Sequence, residues 1–539
     1  MNITILNTFF FLFSFFSSSF FSLFFPTLYL YFYFIDWSIT IYCFFFYFFL
    51  YLYFSKSYYF SFFLYPLYIY IYIYLFCFML SITIIIFILG LGFLGNNFHI
   101  HRISMIFFFF AALLNLHVSF YSILSSGIAL YNGLFVVSPF LLYVETFIFL
   151  IAGFSMVILS SNVIKEYSIL ILLTSFGMTT LISSNDLVSI LLGIELQTLA
   201  LYIIASLYRD SESSTSAGLK YYLLGALSSC FIALGSSIIY GMIGITNLEE
   251  IFIFINISNS LNLFFPILLI SVGLLFKIGA APFHNWLADV IDGVPTIIST
   301  WLAAVSKISI FVLLFALYNN FFIFLNDQIF LFSIILSFIV GSFVGIVQYR
   351  VKRLLAYSSI AHAGFLLLGL ILNNSIGFSA FLFYLVQYSI TVLNIFIIFI
   401  AYGQILESSN IYSPIETLSQ LKGKHIINPL LAFSLAICLF SSAGIPPFIG
   451  FFAKFNIFFS ALDSGYFFIT LVSVLTSVIS AYFYIKIIKV LYFHSIPFSN
   501  KQAISSDLAF SISLLTFIIV FFFFFPSDIL DTLNIISIL

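Results

Sequence analysis

Long apolar runs separated by short polar patches recur along this chain, and within each run the side chains are apolar all round rather than alternating. A strand of a membrane barrel alternates over about ten residues. These runs are longer and unalternated, so they predict helices. From residue 66 onward the pattern predicts helices near 66–94, 104–127, 141–161, 168–184, 187–208, 217–242, 263–290, 296–318, 329–349, 354–372, 376–402, 429–458, 466–490 and 508–525. A membrane-crossing helix needs about 20 apolar residues. The fold class expected is therefore an all-α polytopic membrane protein with about 14 core transmembrane helices. Ahead of them, residues 1–62 form a Phe/Ser/Tyr-rich extension with room for two extra helices, near 8–25 and 38–54.

Composition narrows the class. Of 539 residues, 63% are hydrophobic and 6% charged, against about 25% charged in soluble domains. That excludes a soluble enzyme and a disordered chain. With 16 Lys+Arg against 18 Asp+Glu, no basic face exists to bind nucleic acid. Cys43, Cys77, Cys230 and Cys438 are far apart and lie in apolar runs, which gives neither a metal site nor a disulfide framework. No basic residue precedes Lys56, so an Arg-rich transit peptide is not expected. The 79 Phe and 34 Tyr point to an A/T-rich genome such as an organelle's.

Charge placement tests the helix count. Following the predicted loops in order, Arg102, Lys165, Arg209, Arg350, Lys352, Arg353, Lys422, Lys424, Lys486, Lys489 and Lys501 fall on one side. Glu249, Glu250, Asp327, Asp463, Asp528 and Asp531 fall on the other, with Lys56 its only basic residue. The positive-inside rule predicts such a sorting, with the basic side facing cytoplasm or matrix.

Four lysines remain, Lys220, Lys277, Lys307 and Lys454, and all lie inside predicted helices, as does Glu195, read as the one clear mid-membrane carboxylate. A charged side chain at a helix centre costs about 2.5–3.5 kcal/mol on the insertion scale, so four would cost on the order of 10 kcal/mol if uncompensated. Such residues face a protein interior or water and mark ion or proton paths. A free lysine ammonium does not release its proton near neutrality; desolvation loosens the proton and a nearby carboxylate holds it. A lysine facing a carboxylate that moves is thus a switchable proton site. His284, seven residues after Lys277, and His362, in the stretch 357–365, are relay candidates. Asp289 and Asp292 read as cap or loop carboxylates.

Proline marks two breaks. Pro282 follows Lys277 closely, and Pro446 and Pro447 precede Lys454; proline inside a helix removes a backbone bond and opens the turn. The breaks fall in the seventh and twelfth core helices. Paired interrupted helices point to an inverted-repeat transporter core. The expected organisation is 1–62 extension, 63–165 N-terminal helices, 166–318 first five-helix repeat, 319–494 second, inverted repeat, and 495–539 C-terminal helix.

The stretches 191–229, 277–309 (KIGAAPFHNWLADVIDGVPTIISTWLAAVSKIS), 352–365 (KRLLAYSSIAHAGF) and 443–455 (AGIPPFIGFFAKF) together resemble the antiporter-like membrane subunits of respiratory complex I, most closely the subunit 2 branch of mitochondrial type. Lys454, where the subunit 4 branch usually has Glu, and the absence of a second His shortly after His284 separate it from the sister branches. The resemblance runs from about residue 66 almost to the end, leaving 1–62 without a counterpart. It implies that Glu195 modulates Lys277, with Lys220 a second partner or inlet residue. Lys307 is then the central linking lysine, Lys454 the outlet lysine and His362 a member of the hydrophilic axis. It also implies a place in the mitochondrial inner membrane, among the other membrane-arm subunits and lipids, with basic loops on the matrix side. This chain would bind no cofactor itself; the complex uses NADH, FMN, iron–sulfur clusters and ubiquinone elsewhere. Two other readings stay open: a stand-alone cation/proton antiporter, and a non-pumping scaffold subunit of the same complex.

Overall fold

In the computed structural model, the described residues are 97–120, 127–158, 166–258, 263–320, 328–372, 374–406, 415–494, 504–524 and 526. The extension 1–62, the predicted helix 66–94, and Lys56, Lys165, Lys501, Asp327, Asp528 and Asp531 lie outside them.

The order begins with α1 (Asn97–Phe120), a hairpin of β1 (Ile128–Leu130) and β2 (Phe135–Val137), then α2 (Pro139–Val157), α3 (Glu166–Ser183), α4 (Leu187–Ala205) and α5 (Glu212–Ile243). Next come α6 (Leu248–Ser258), α7 (Phe264–Ile278), α8 (Asn285–Gly293), α9 (Thr296–Ala304), α10 (Ser306–Asn320) and α11 (Gln328–Val347). The rest are α12 (Val351–Ile371), α13 (Ser375–Leu406), α14 (Lys424–Ile427), α15 (Pro429–Ala443), α16 (Ile449–Asp463), α17 (Phe467–Phe493) and α18 (Ser506–Phe521). Among the described residues, 11 helical segments are long and apolar enough to cross a membrane. The shorter apolar helices α7 and α15 are the first halves of the two broken helices. Every predicted helix after the first therefore has its counterpart, in an all-α polytopic fold.

Capping residues set several starts. Ser138 accepts from Leu141 N–H with Pro139 next to it, Asp186 accepts from Val188 N–H, and Asn428 accepts from Leu431 N–H with Pro429 next to it. Such caps satisfy backbone donors that the first turn leaves open. Some helices also start ahead of their apolar pattern: α1 begins seven residues before the predicted start, so Arg102 lies in its second turn rather than in a loop. Apolar patterning did not announce α6, which has 11 residues and is too short to span.

Both predicted breaks occur, and they share one backbone design. Gly279 and Gly444 sit left-handed (φ 78° and 86°) after α7 and α15. Gly279 N–H donates to the Leu275 and Phe276 carbonyls and Ala280 N–H to Leu275; Gly444 N–H donates to Phe440 and Ser441, and Ile445 N–H to Phe440. This closes off each helix end with the glycine cap that positive φ favours. A cis proline peptide follows in each, at Ala281–Pro282 and Pro446–Pro447.

The bundle is graded from inside to outside. The apolar windows of α12, of α9–α10 and of α13 are 94%, 89% and 83% buried, against 28% for α5. The central helices carry the polar side chains described next.

Candidate functional site

Lys277 ends α7 pointing inward, its ammonium donating to the Tyr202 hydroxyl (3.1 Å) and the Gly225 carbonyl (3.1 Å). Tyr202 lies on α4 seven residues after Glu195, two turns along the same face. Glu195 is close enough for its charge to act on both Tyr202 and Lys277, and its Oε1 is buried with no hydrogen-bond partner among the described residues. Glu195 and Lys277 are within each other's field without forming an ion pair, the arrangement a switchable contact needs.

Lys307 stands just after Val305, where α9 gives way to α10. It is 4% exposed, and its ammonium donates to Ser359 Oγ (3.2 Å). The interruption is held from outside: Gln197 Nε2 donates to the Ser306 carbonyl (2.8 Å), and Ser309 donates to Gln197 Oε1 (2.9 Å). Between Lys277 and Lys307 lies a cavity of about 20 Å³ walled also by Gln197, Thr198 and Ser306, room for about one water.

His362 is fully enclosed. Its Nδ1 meets the Tyr384 hydroxyl at 2.7 Å and its Nε2 the Tyr484 hydroxyl at 3.1 Å. The Tyr388 hydroxyl donates to the Ala303 carbonyl (3.1 Å) close to Ser359, which receives Lys307, and Tyr484 lies near the hydroxyls of Ser358 and Ser442. Lys454 closes the row: its ammonium donates to the carbonyls of Ser442 (3.0 Å) and Ala443 (2.8 Å), the last turn of α15. His362 feels the charges of both Lys307 and Lys454. Glu195, Lys277, Lys307, His362 and Lys454 are thus brought into one interrupted polar row.

Two candidates stand apart. Lys220 is not buried: its side chain is 56% exposed and pairs with Asp289 at 2.8 Å. His284 is half-buried at the start of α8, its Nδ1 without a partner among the described residues. Asp289 and Asp292 belong to α8 itself and are ion-pair partners rather than caps: Asp289 binds Lys220 and Arg353, and Asp292 binds Arg350. The Asp292 carboxylate holds the Arg350 guanidinium above its ordinary pKa, by hydrogen bond first and charge second.

A second carboxylate corrects the reading of Glu195 as the one in mid-membrane. Glu145 on α2 is 7% exposed and accepts from Asn115 Nδ2 at 2.9 Å. Because Pro139 starts α2 early, Glu145 sits well inside it, and no proline or second charge flags it in the sequence. The tyrosines were hidden differently, by a composition with 34 of them.

Comparison with known proteins fits this geometry. Residues 184–480, more than half the chain, match the family model described as NADH:quinone oxidoreductase/Mrp antiporter, TM. The chain is 40% identical over 495 residues to the NADH-ubiquinone oxidoreductase chain 2 of Rhizopus oryzae, covering 81% of this chain and 94% of that one. It is 34% identical over 411 residues to NADH-quinone oxidoreductase subunit N of Parvibaculum lavamentivorans, covering 74% and 84%. A chain of respiratory complex I from Thermus thermophilus superposes with a TM-score of 0.73 at 26% identity, covering 85% and 99%. A chain of the Mrp complex from Dietzia superposes with a TM-score of 0.74 at 18% identity, a likeness of fold alone. The chain belongs to the NADH:quinone oxidoreductase/Mrp antiporter transmembrane family, in its antiporter-like complex I subunit branch.

Proposed function

We propose that this chain is a proton-translocating subunit of the membrane arm of NADH:ubiquinone oxidoreductase. It moves protons along its buried lysines while quinone is reduced in other subunits. The observation that carries the reading is the row itself: three buried lysines, Lys277, Lys307 and Lys454, each donating to hydroxyls or carbonyls and none ion-paired among the described residues. A buried ammonium without a counter-ion is costly, and a row of them is hard to reconcile with scaffolding alone.

The chain's own groups can pass a proton in short steps. An ionised Glu195 holds the proton on Lys277; protonating or displacing that carboxylate lets it go. One water in the cavity bridges toward Lys307, and Ser359 leads on to Tyr388. His362 lies between the Tyr384 and Tyr484 hydroxyls, and water between Tyr484 and Lys454 completes the path. Lys220 and His284 serve as inlet and relay groups near the basic side.

The twin breaks support reading 166–318 and 319–494 as inverted repeats, flanked by 63–165 and 495–539. The resemblance to mitochondrial relatives supports a place in the mitochondrial inner membrane, with Arg102, Arg209, Arg350, Lys352, Arg353, Lys422 and Lys424 at the matrix end, where Lys352 belongs not to a loop but to the first turn of α12, buried on the Val294 carbonyl (2.7 Å). It also supports neighbouring membrane-arm subunits as partners and cofactors held elsewhere. The test is Lys307→Met in the assembled, reconstituted complex, with protons moved counted per NADH oxidised. A lower ratio or lost turnover with assembly intact is expected; an unchanged ratio and rate makes the chain a scaffold.

A further inference from the structure

The row described above leaves a set of buried polar atoms on α13 unexplained. Gln387 Nε2, Asn394 Oδ1 and the Tyr402 hydroxyl have no hydrogen-bond partner among the described residues. All three residues are essentially inaccessible, at 1%, 0% and 0% exposure. Buried polar atoms are almost always bonded to protein or to ordered water, so these mark water positions. They are also aligned. At about 100° per residue, Gln387, Asn394 and Tyr402 fall within about 80° of one another around the helix. They form one stripe, spaced about 10 to 12 Å along the axis.

The two ends of the stripe lead somewhere. At the inner end, Gln387 reaches the second break. A Cβ at Gly450 would overlap the Ser441 carbonyl and come within 3.1 Å of Gln387 Nε2. The next two carbonyls, of Ser442 and Ala443, are those that hold Lys454. In the middle, Asn394 Nδ2 donates to Cys438 Sγ on α15 (3.2 Å), which leaves its Oδ1 unpartnered where α13 meets α15. At the outer end, Tyr402 is in the electrostatic field of Tyr492. Tyr492 stacks on the half-buried His425 at 5.3 Å, beside Lys422 and Lys424 on the basic side. Ile398, fully buried on the same stripe, separates Asn394 from Tyr402.

We propose that this stripe is a second proton inlet: a water-filled seam between α13 and α15 that connects the basic face at His425 and Tyr492 with Lys454 by a route other than Lys277, both inlets loading in every cycle. It rests on the proton-translocating reading above. The species carried is the proton. Isolated neutral polar atoms about 10 Å apart, one of them an amide N–H donor, cannot assemble the roughly six oxygen ligands of a hard metal cation, whereas waters between them can relay a proton. Ile398 is the dry point of the seam, where it interrupts conduction until water enters.

The experiment uses the assembled complex in proteoliposomes, with NADH-driven pumping followed for Tyr402→Phe, Asn394→Leu, Asn394→Ser and Lys454→Met. Tyr402→Phe removes one oxygen and leaves the packing intact, so it reads the inlet even where Asn394→Leu disturbs assembly. The expected result is a pumping rate reduced on the order of tenfold in Tyr402→Phe and Asn394→Leu, a rise of about 1.4 kcal/mol in the barrier to transfer. Asn394→Ser, which puts a hydroxyl in place of the amide and makes room for water, recovers most of that rate. Parental pumping in Tyr402→Phe, alongside impaired pumping in Lys454→Met, overturns the inlet and leaves the proton-translocating reading standing. Parental pumping in Lys454→Met as well removes that reading and the inlet with it. An Asn394→Ser variant as slow as Asn394→Leu counts against water in the seam and also overturns the proposal.

Discussion

The two broken helices share a backbone and differ in where they carry charge. Aligned on their left-handed glycines, 279–289 reads GAAPFHNWLAD and 444–454 reads GIPPFIGFFAK. The second proline of the pair, the following Phe and the Ala near the end coincide. Lys277, two residues before its glycine, corresponds to Ser442; Lys454, ten residues after its own, corresponds to Asp289. In the first break the inward charge sits on the half-helix that ends. It finds a tyrosine hydroxyl and a carbonyl of another helix, within the field of Glu195. In the second the charge sits on the half-helix that begins, and it reaches back to the carbonyls the first half leaves exposed. The position that is Lys454 in one copy is an outward carboxylate in the other, Asp289, in the ion-pair cluster of the basic face. The break supplies a place for a charge, and the sequence decides which half-helix carries it.

The strongest way to break this comparison is to move the charge. Lys277→Met and Lys454→Met are each expected to abolish most pumping by an assembled complex. Adding Ser442→Lys to Lys454→Met is expected not to restore it, because among the described residues no carboxylate corresponding to Glu195 acts at the second break. Restored pumping would make the two positions interchangeable.

Gly450 and Asn285 occupy matching positions, six residues past their glycines. Gly450→Ala collides with a backbone carbonyl and is expected to destabilise by about 1–3 kcal/mol, the usual cost of overpacking. Exposed Asn285→Ala is expected to cost under about 0.5 kcal/mol, as surface substitutions do. Thermal dissociation of the purified complex reads both.

Gln197→Leu bears on the first half alone. It strips the Ser306 carbonyl and Ser309 hydroxyl of their partner, at about 1–3 kcal/mol for buried groups left unpaired. The expected outcome is slower pumping with Lys307 still present. Asp289→Asn has the smallest expected effect: partly exposed pairs contribute about 0–1 kcal/mol each and weaken with salt. A thermal shift that shrinks as salt is raised supports that; a loss of pumping as large as that of Lys454→Met does not.

Much of this was legible before any coordinates. Apolar run length located the crossing helices, and proline next to lysine located both breaks, because these signals are local. The glycine-to-glycine correspondence is also in the sequence, but its meaning needs the shared hydrogen-bond pattern. Partners across helices were not legible. Nothing near Tyr484 in the chain announces that it meets His362, 122 residues earlier, and Glu145 looks like a stray acid until Asn115 is seen against it. Pro139 began α2 ahead of its apolar pattern and so concealed the depth of Glu145, while apolar run length alone could not show that Lys220 lies on the outward face of α5, paired with Asp289.

The pairing of both His362 nitrogens with tyrosine hydroxyls has a consequence for traffic. A neutral imidazole carries one N–H and one bare nitrogen, so at any moment one tyrosine accepts from the ring while the other donates to it. A proton passing through the ring would leave this small circuit with its polarity reversed. A second proton in the same direction would have to wait until ring and hydroxyls had turned back, so on the proposed path the site would keep a record of the last crossing, and resetting it would belong to every cycle.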